Sequence, residues 1–487
     1  VRVPTQVHLQ FGADAATQMA VSWASEAPAE RPVVVLGRPG AGLGHTVEAS
    51  ERRYADAMTR ETVWTYHALL GGLRPDTEYV YEVRQRCARP ARGRFRTGPA
   101  CRSRPFRFTS FGDLSIPAPV GAGLGPASAH AARTVAAVER AAPLFHLLNG
   151  DLAYANVSDA PVATWSAFFA NLERSATRRP WMPCAGNHEN EAGNGPHGYE
   201  AYQARFCLPG NGAGDGMAGN WYAFTVGSVR VLSLNGDDVC LQDGGFSAYR
   251  YQQLPPGSRR DAYVRGYSGE AQRAWLERTL AAARDDPGID WVIVCMHQVA
   301  MSSAAFNGAD LGVREALLPV FDRYGVDLVL GGHEHHYERT HPVRGVEPGS
   351  ALLTPARADG GTVHVTIGVG GNPNPCQPDA YGTGPRGVVI CEVGRAEPGR
   401  QRAPRRVEEP APWLAARSVA HPYGFTVFDV DPGLPGGSTT ISATHYGAAA
   451  GGRPFEVVDR FTLGRPRRDG TEAVSGAPAA RSGSPRP

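Results

Sequence analysis

The chain contains no lysine: all 49 of its basic side chains are arginine, set among 59 glycines and 40 prolines. That bias has the character of a GC-rich bacterial coding sequence and carries no chemistry of its own. An excess of charge of one sign is also lacking, since 49 basic residues face 47 acidic ones, which leaves no global field to recruit nucleic acid or an anionic membrane. Any anion-binding site must therefore be local. No stretch approaches the ~20 apolar residues of a membrane-spanning helix. A charged-then-apolar leader is missing too, because the sequence opens directly on VRVPTQVHLQFG. With Val rather than Met as first residue, the expectation is a mature secreted or extracytoplasmic form. The eight cysteines include no CxxC pair, which argues against a thiolate zinc cage and permits disulfides in an oxidising compartment. Cys87 with Cys101, and Cys376 with Cys391, are near enough in sequence to close small loops. Cys295, inside the apolar run Trp291 to Met296, is instead expected as a buried free thiol.

At 487 residues the chain exceeds one ordinary core, and about 150 residues per domain predicts roughly two to four units. From Thr5 to Gly98, short segments such as TQVHLQFG, QMAVSWAS, PVVVLGR, VWTYHALL, EYVYEVRQR and GRFRTGP alternate apolar and polar residues without a helical period. They predict an antiparallel β-sandwich of fibronectin type III kind, a separate module over residues 1–100. After Cys101 the texture changes, as FRFTSFGD, PASAHAARTVAAVERAA, LFHLLNGD and ATWSAFFANLERSA run strand, helix, strand, helix. That order predicts a layered core with functional residues at the carboxyl ends of strands. Ser268 is a plausible N-cap for the helix AQRAWLERTLAAARDD, which Pro287 stops. Later strands (TVHVTIGVGG, YGFTVFDVDP, STTISATHYG, FEVVDRFTLG) are expected to complete a second sheet packed on the first. The predicted fold class is thus α+β, an N-terminal sandwich followed over residues 101–464 by a four-layer α/β/β/α core. Two long insertions, 240–266 and 394–416, read as functional or mobile loops, and residues 465–487, with little to bury, as a disordered tail.

Five motifs carry the chemistry: Gly112-Asp113, GDLAY from Gly150 to Tyr154, GNHE from Gly186 to Glu189, Met296-His297, and GHEHH from Gly332 to His336. Each alone is a common turn. Together, each closing an apolar run, they supply carboxylate, phenol, amide and imidazole with no thiolate. Such a donor set suits iron, manganese or zinc, and two adjacent metal ions suit the hydrolysis of a phosphate ester.

In this order the motifs resemble the purple acid phosphatases among the calcineurin-like metallophosphoesterases, a resemblance that extends from PTQVHLQFG to about Leu463. It implies that one metal, typically ferric iron, takes Asp113, Tyr154, His335 and a bridging Asp151. The second, Fe(II), Zn(II) or Mn(II), would take Asp151, Asn187, His297 and His333. It further implies an acid phosphatase acting on small phosphorylated substrates, in which metal-held hydroxide attacks phosphate monoesters in line. His188 would bind phosphate and protonate the leaving alkoxide, with Glu189 orienting it. A phosphodiesterase on the same site is the second reading, and a non-catalytic binding protein the third, disfavoured because no ligand is missing.

The sequence departs from the family pattern in three places. Ser115 stands where glycine usually follows GDL. The stretch after His297 lacks the histidines that related plant enzymes place near the substrate, so Asn307 is a candidate substrate donor, set against a simple FNG turn. His336 is a second substrate-side candidate, while Arg339 could either tie down its loop or touch phosphate. The insertion 240–266, with Tyr249, Arg250 and Tyr251, could cap the site.

Overall fold

The computed structural model describes residues 3–117, 128–191, 198–214, 216–242, 265–345, 354–355, 360–381, 384, 386–393 and 404–470. The N-terminal region forms two four-stranded antiparallel sheets. Inward-facing Trp23, Val34, Leu36, Tyr66, Tyr81 and Phe95 fill the space between them. Two of its strands, His45–Glu48 and Ser50–Ala55, lie at sheet edges and are almost wholly exposed. With one face in water, only Val47 partly packed on the core and Tyr54 buried against Ala201 and Ala204, they show no apolar alternation to read in the sequence.

Two large sheets follow. In the first, Trp181–Pro183, Phe145–Leu148 and Phe106–Phe111 run parallel, and Tyr423–Asp431, Ser438–Ala448 and Glu456–Pro466 extend it antiparallel. The last three strands therefore complete the first sheet, not the second as the sequence order suggested. The second sheet has seven strands, with parallel Val229–Ser233, Trp291–Cys295, Leu328–Gly331 and Val363–Ile367 at its centre.

Strand Trp291–Cys295 shows why such strands read as continuous apolar runs. Ile293 and Cys295 face the core shared with Phe111 and Leu147 of the first sheet. Val292 and Val294 face the opposite way, onto Leu276, Leu280, Val313 and Leu317 of helices Ala271–Asp285 and Leu311–Tyr324. Both faces are dry, so no polar alternation is needed. Helices Ala129–Arg140 and Pro161–Ala176 cover the first sheet, giving the four layers α/β/β/α. Helix Ala271–Asp285 is capped by Glu270 in a left-handed conformation. Glu270 offers no side-chain cap; Ser268, the expected cap, accepts the first-turn N–H of Gln272 through Oγ at 3.3 Å while donating to Asp238 at 2.6 Å.

The sandwich shares its core with the region that follows. One continuous apolar cluster runs from Leu9, Phe11 and Trp23 into Phe108, Leu147 and Trp165. Buried Arg205 presses its guanidinium on Tyr54 of the sandwich and Trp165 of the core, at 5.1 and 5.0 Å from the ring centroids. Three further expectations are corrected. All eight cysteines are free, so neither small disulfide loop forms; Cys295 is a buried thiol, as expected. Within 394–416, strands Pro404–Pro410 and Leu414–Ser418 form, the first bound to Arg386–Val393 with Arg386–Glu408 and Arg405–Glu392 ion pairs alongside. The proposed tail is structured through Gly470: Arg467 is buried and bonds the carbonyls of Pro432 and Gly433. Residues 394–403 and 471–487 lie outside the described residues.

Arg314 of helix Leu311–Tyr324 meets Glu409 in a fully buried two-pronged pair, both bonds 2.8 Å. Arg314→Met is expected to cost about 3–5 kcal/mol by stranding the Glu409 charge, read from the denaturant midpoint. Adding Glu409→Leu to that variant should recover most of the loss.

Candidate metal centre

All five motifs sit just beyond the carboxyl ends of parallel strands, but they come from different sheets. The first sheet delivers Asp113, Asp151, Tyr154 and Asn187, following strands Phe106–Phe111, Phe145–Leu148 and Trp181–Pro183. The second delivers His297, His333 and His335, following Trp291–Cys295 and Leu328–Gly331. Bringing these side chains inward requires tight turns, and the backbone is strained there: φ is +56° at Asp113, +50° at Asp151, +57° at Tyr154 and +67° at His333. Non-glycine residues adopt that region rarely, and clusters of them accompany functional sites. Ser115, where the family pattern has glycine, also adopts a positive φ of +68°. The motif glycines have a steric cause. A Cβ on Gly150 would lie 2.7 Å from His297 Nδ1, and one on Gly186 would lie 2.3 Å from Asp151 Oδ1.

The donor atoms form two groups. In one, Asp113 Oδ1 lies 3.1 Å from Tyr154 Oη and 3.1 Å from His335 Nε2, with 3.4 Å between the last two. In the other, Asp151 Oδ2 lies 3.0 Å from His297 Nε2, which is 3.3 Å from His333 Nδ1, itself 3.0 Å from Asn187 Oδ1. Asp151, His297 and His333 would by themselves be enough to hold a metal ion. The opposite ring nitrogens are engaged elsewhere: His297 Nδ1 donates to the Asn149 carbonyl at 2.6 Å and His335 Nδ1 to that of Asn374 at 2.5 Å. His333 Nε2 lies 2.7 Å from the Gln242 amide. These contacts fix which nitrogen faces the centre. A buried, convergent set of oxygen and imidazole donors fits a pair of hard-to-borderline cations. Burial pulls the His297 pKa down, but the Asp151 charge and hydrogen bond outweigh it and raise it to about 10. Against its own burial, Asp151 is held well below the usual carboxylate range by His297 and His188.

His188 lies beside this centre, its Nδ1 donating to Asn156 Oδ1 at 2.8 Å and its Nε2 3.9 Å from Asp151 Oδ2. Asn156 therefore holds the ring, a role the sequence reading gave to Glu189. The Glu189 carboxylate instead accepts the backbone N–H groups of Asp151, Leu152 and Gly186, each at 2.8 Å, and so locks two ligand loops together. Burial and the Asp151 charge raise its pKa to about 8.

Neither substrate-side candidate is positioned as expected. Asn307 Nδ2 donates to the His333 carbonyl at 2.6 Å, so its amide fastens the ligand loop. His336 is buried between Glu334 and Glu338. Arg339 ties to Asp459 at 2.7 Å and stacks on Phe461. Tyr249, Arg250 and Tyr251 lie outside the described residues, although Gln242, at the root of that insertion, reaches His333. Asn149, Asn156, Gln242 and Asn374 escaped the sequence reading. Only the Asn149 that precedes GDLAY, and the Asn156 two residues beyond it, stood close enough to a motif to be noticed.

Residues 4–110 match the family described as purple acid phosphatase, N-terminal domain, and residues 106–337 match calcineurin-like phosphoesterase. Fold and donor set thus define a metal-dependent phosphoesterase, whose fold implies a binuclear centre and whose family acts on phosphorylated substrates. An uncharacterized protein of Mycobacterium tuberculosis is 48% identical over 480 residues, covering 95% of this chain and 87% of its own. Acid phosphatase type 7 of Mus musculus is 26% identical over 392 residues, covering 76% and 78%. Among solved structures, purple acid phosphatase PPD1 from yellow lupin (Lupinus luteus) seeds superposes with a TM-score of 0.69 at 21% identity, covering 99% of this chain and 78% of that one. The chain belongs to the purple acid phosphatase family.

Glu189→Ala would leave three buried N–H donors unpaired. At about 1–3 kcal/mol for each unsatisfied group, it is expected to destabilise the fold by several kcal/mol and to lower metal retention, measured by thermal melting and metal analysis after dialysis.

Proposed function

We propose that the protein is an acid phosphatase hydrolysing phosphate monoesters, with iron in the Asp113, Tyr154 and His335 group. The observation that carries this reading is the position of His188 beside the two donor groups, held by Asn156. The metal pair, when bound, supplies the activated water and neutralises phosphoryl charge. The chain's own residues do the rest. Asp151, whose Oδ1 accepts the His188 backbone N–H at 2.8 Å and whose Oδ2 lies 3.0 Å from His297 Nε2, is the carboxylate that would be shared between the two metal sites. His188 serves as the general acid. Because Nδ1–H is committed to Asn156, the proton passed to the leaving oxygen is the one on Nε2, which is carried together with it only by the imidazolium form. Burial lowers the His188 pKa, partly offset by Asp151. The acid form is therefore lost as pH rises through a value below the ordinary histidine range, which supports an acidic optimum.

A mono-nitrophenyl phosphate should be hydrolysed in clear preference to the bis-nitrophenyl ester; the reverse preference would assign a phosphodiesterase. His188→Ala should retain its full metal content while losing about 10²- to 10⁴-fold in turnover, the usual range for a general acid. Asn156→Asp should move the alkaline limb of the pH–rate profile to higher pH, since a carboxylate beside Nδ1 stabilises imidazolium; an unmoved limb would remove His188 from the acid role. Iron beside Tyr154 predicts a visible phenolate absorption that disappears in Tyr154→Phe, whereas colourless protein loaded with zinc or manganese would keep the hydrolase and discard the iron.

A further inference from the structure

A second buried cluster of ionisable side chains takes no part in the site above. Glu334, His336 and Cys376 each offer one metal-capable atom, and these atoms lie within 4.8 Å of one another. All three residues are buried, at 0%, 1% and 6% exposure. Glu334 Oε2 and both ring nitrogens of His336 have no hydrogen-bond partner. The carboxylates nearest the ring, Glu334 Oε2 and Glu338 Oε2, stand 3.7 and 3.6 Å from Nδ1 and Nε2, beyond hydrogen-bonding range.

The cluster is rigidly built. Glu334 Oε1 accepts the N–H groups of Asn307 and Gly308, which leaves Oε2 to face His336. Glu338 Oε2 is fixed by the N–H and hydroxyl of Ser303. Cys376 is anchored through its N–H to the His335 carbonyl at 3.0 Å. Such a preorganised group, with its inward atoms unsatisfied, matches a cation site in which the ion supplies the missing partner.

We propose that Glu334, His336 and Cys376 bind a third metal ion, separate from the binuclear pair. One oxygen, one nitrogen and one sulfur donor suit a borderline cation of the zinc class. On binding, the Cys376 thiol proton and any proton on Glu334 or on the ligating nitrogen of His336 are released to solvent. This ion takes no part in hydrolysis. It staples the 333–336 loop to the 372–376 loop, which holds His335 through the Asn374 carbonyl and donates the Asn372 N–H to the Asp113 carbonyl at 2.9 Å. The proposal does not depend on the substrate or on the acid role of His188.

The distinguishing feature is sulfur, because the binuclear centre has no thiolate donor. The full chain, purified without chelator and reconstituted with cobalt(II), should hold three ions per chain and show a near-ultraviolet thiolate-to-cobalt charge-transfer band. Cys376→Ser should abolish the band and lower the content to two ions. His336→Gln, which keeps side-chain bulk, should also lower the content to two and serves as the second variant if Cys376→Ser fails to fold. Two ions per chain in the unmutated protein with no thiolate band would overturn the proposal, as would a band and a third ion that survive in Cys376→Ser. Loss of ions from the binuclear centre alone would leave the thiolate band in place, so failure of that site is read separately.

Discussion

The structure depends on the meeting of Asp151 and His297. These residues come from different sheets, and at 3.0 Å their contact is where the two sheets' carboxyl ends close over the centre. Placing carboxylates and imidazoles in a dry crevice is costly unless each finds a partner, and the surroundings are arranged to meet that need. Backbone carbonyls of Asn149 and Asn374 orient two of the rings, and Glu189 gathers three N–H groups beneath the ligand loops. The left-handed backbone at Asp113, Asp151, Tyr154 and His333 is held because the packed sheets on either side leave those loops no relaxed alternative.

The core and the ligand order were legible because both write local signals. Runs such as DWVIVCMH and VDLVLGGHEH announce a doubly buried strand and its terminal candidate ligand in one stretch. Other parts leave no such trace. Strand Ser50–Ala55 is polar because only Tyr54 turns inward. Asn156 and Gln242 matter only through partners that folding brings to them. Glu189 was given to its sequence neighbour His188, whereas its bonds run to backbone 37 or 38 residues away and to Gly186. His336 and Asn307 were read as facing substrate because they adjoin ligands or follow one, yet adjacency in a tight turn sends successive side chains in different directions.

The sandwich and the catalytic region share more than a linker. His8, Thr65 and His67 bond the carbonyls of Arg205 and Ala204, and strand Thr5–Phe11 rests on helix Pro161–Ala176. The N-terminal region thus buttresses the helix layer over the first sheet, the sheet that carries four of the seven predicted ligands.

The pairing of Phe106–Phe111 with Tyr423–Asp431 also bears on how the molecule is made. Arg107 and Asp429, joined across that pair, are 322 residues apart in the chain. Contacts of such separation form late and slowly, since a long loop must close before they contribute. On the ribosome, the strand that presents Asp113 meets Phe145–Leu148 early on one side, but on the other it waits until Tyr423–Asp431 has emerged. The sandwich and the first β-α-β units can collapse earlier, but the sheet that frames the centre is completed only by Tyr423–Asp431, Ser438–Ala448 and Glu456–Pro466. Truncation before Tyr423 would accordingly strip three strands from the sheet that presents four of the predicted ligands, and so strike the centre from its far edge.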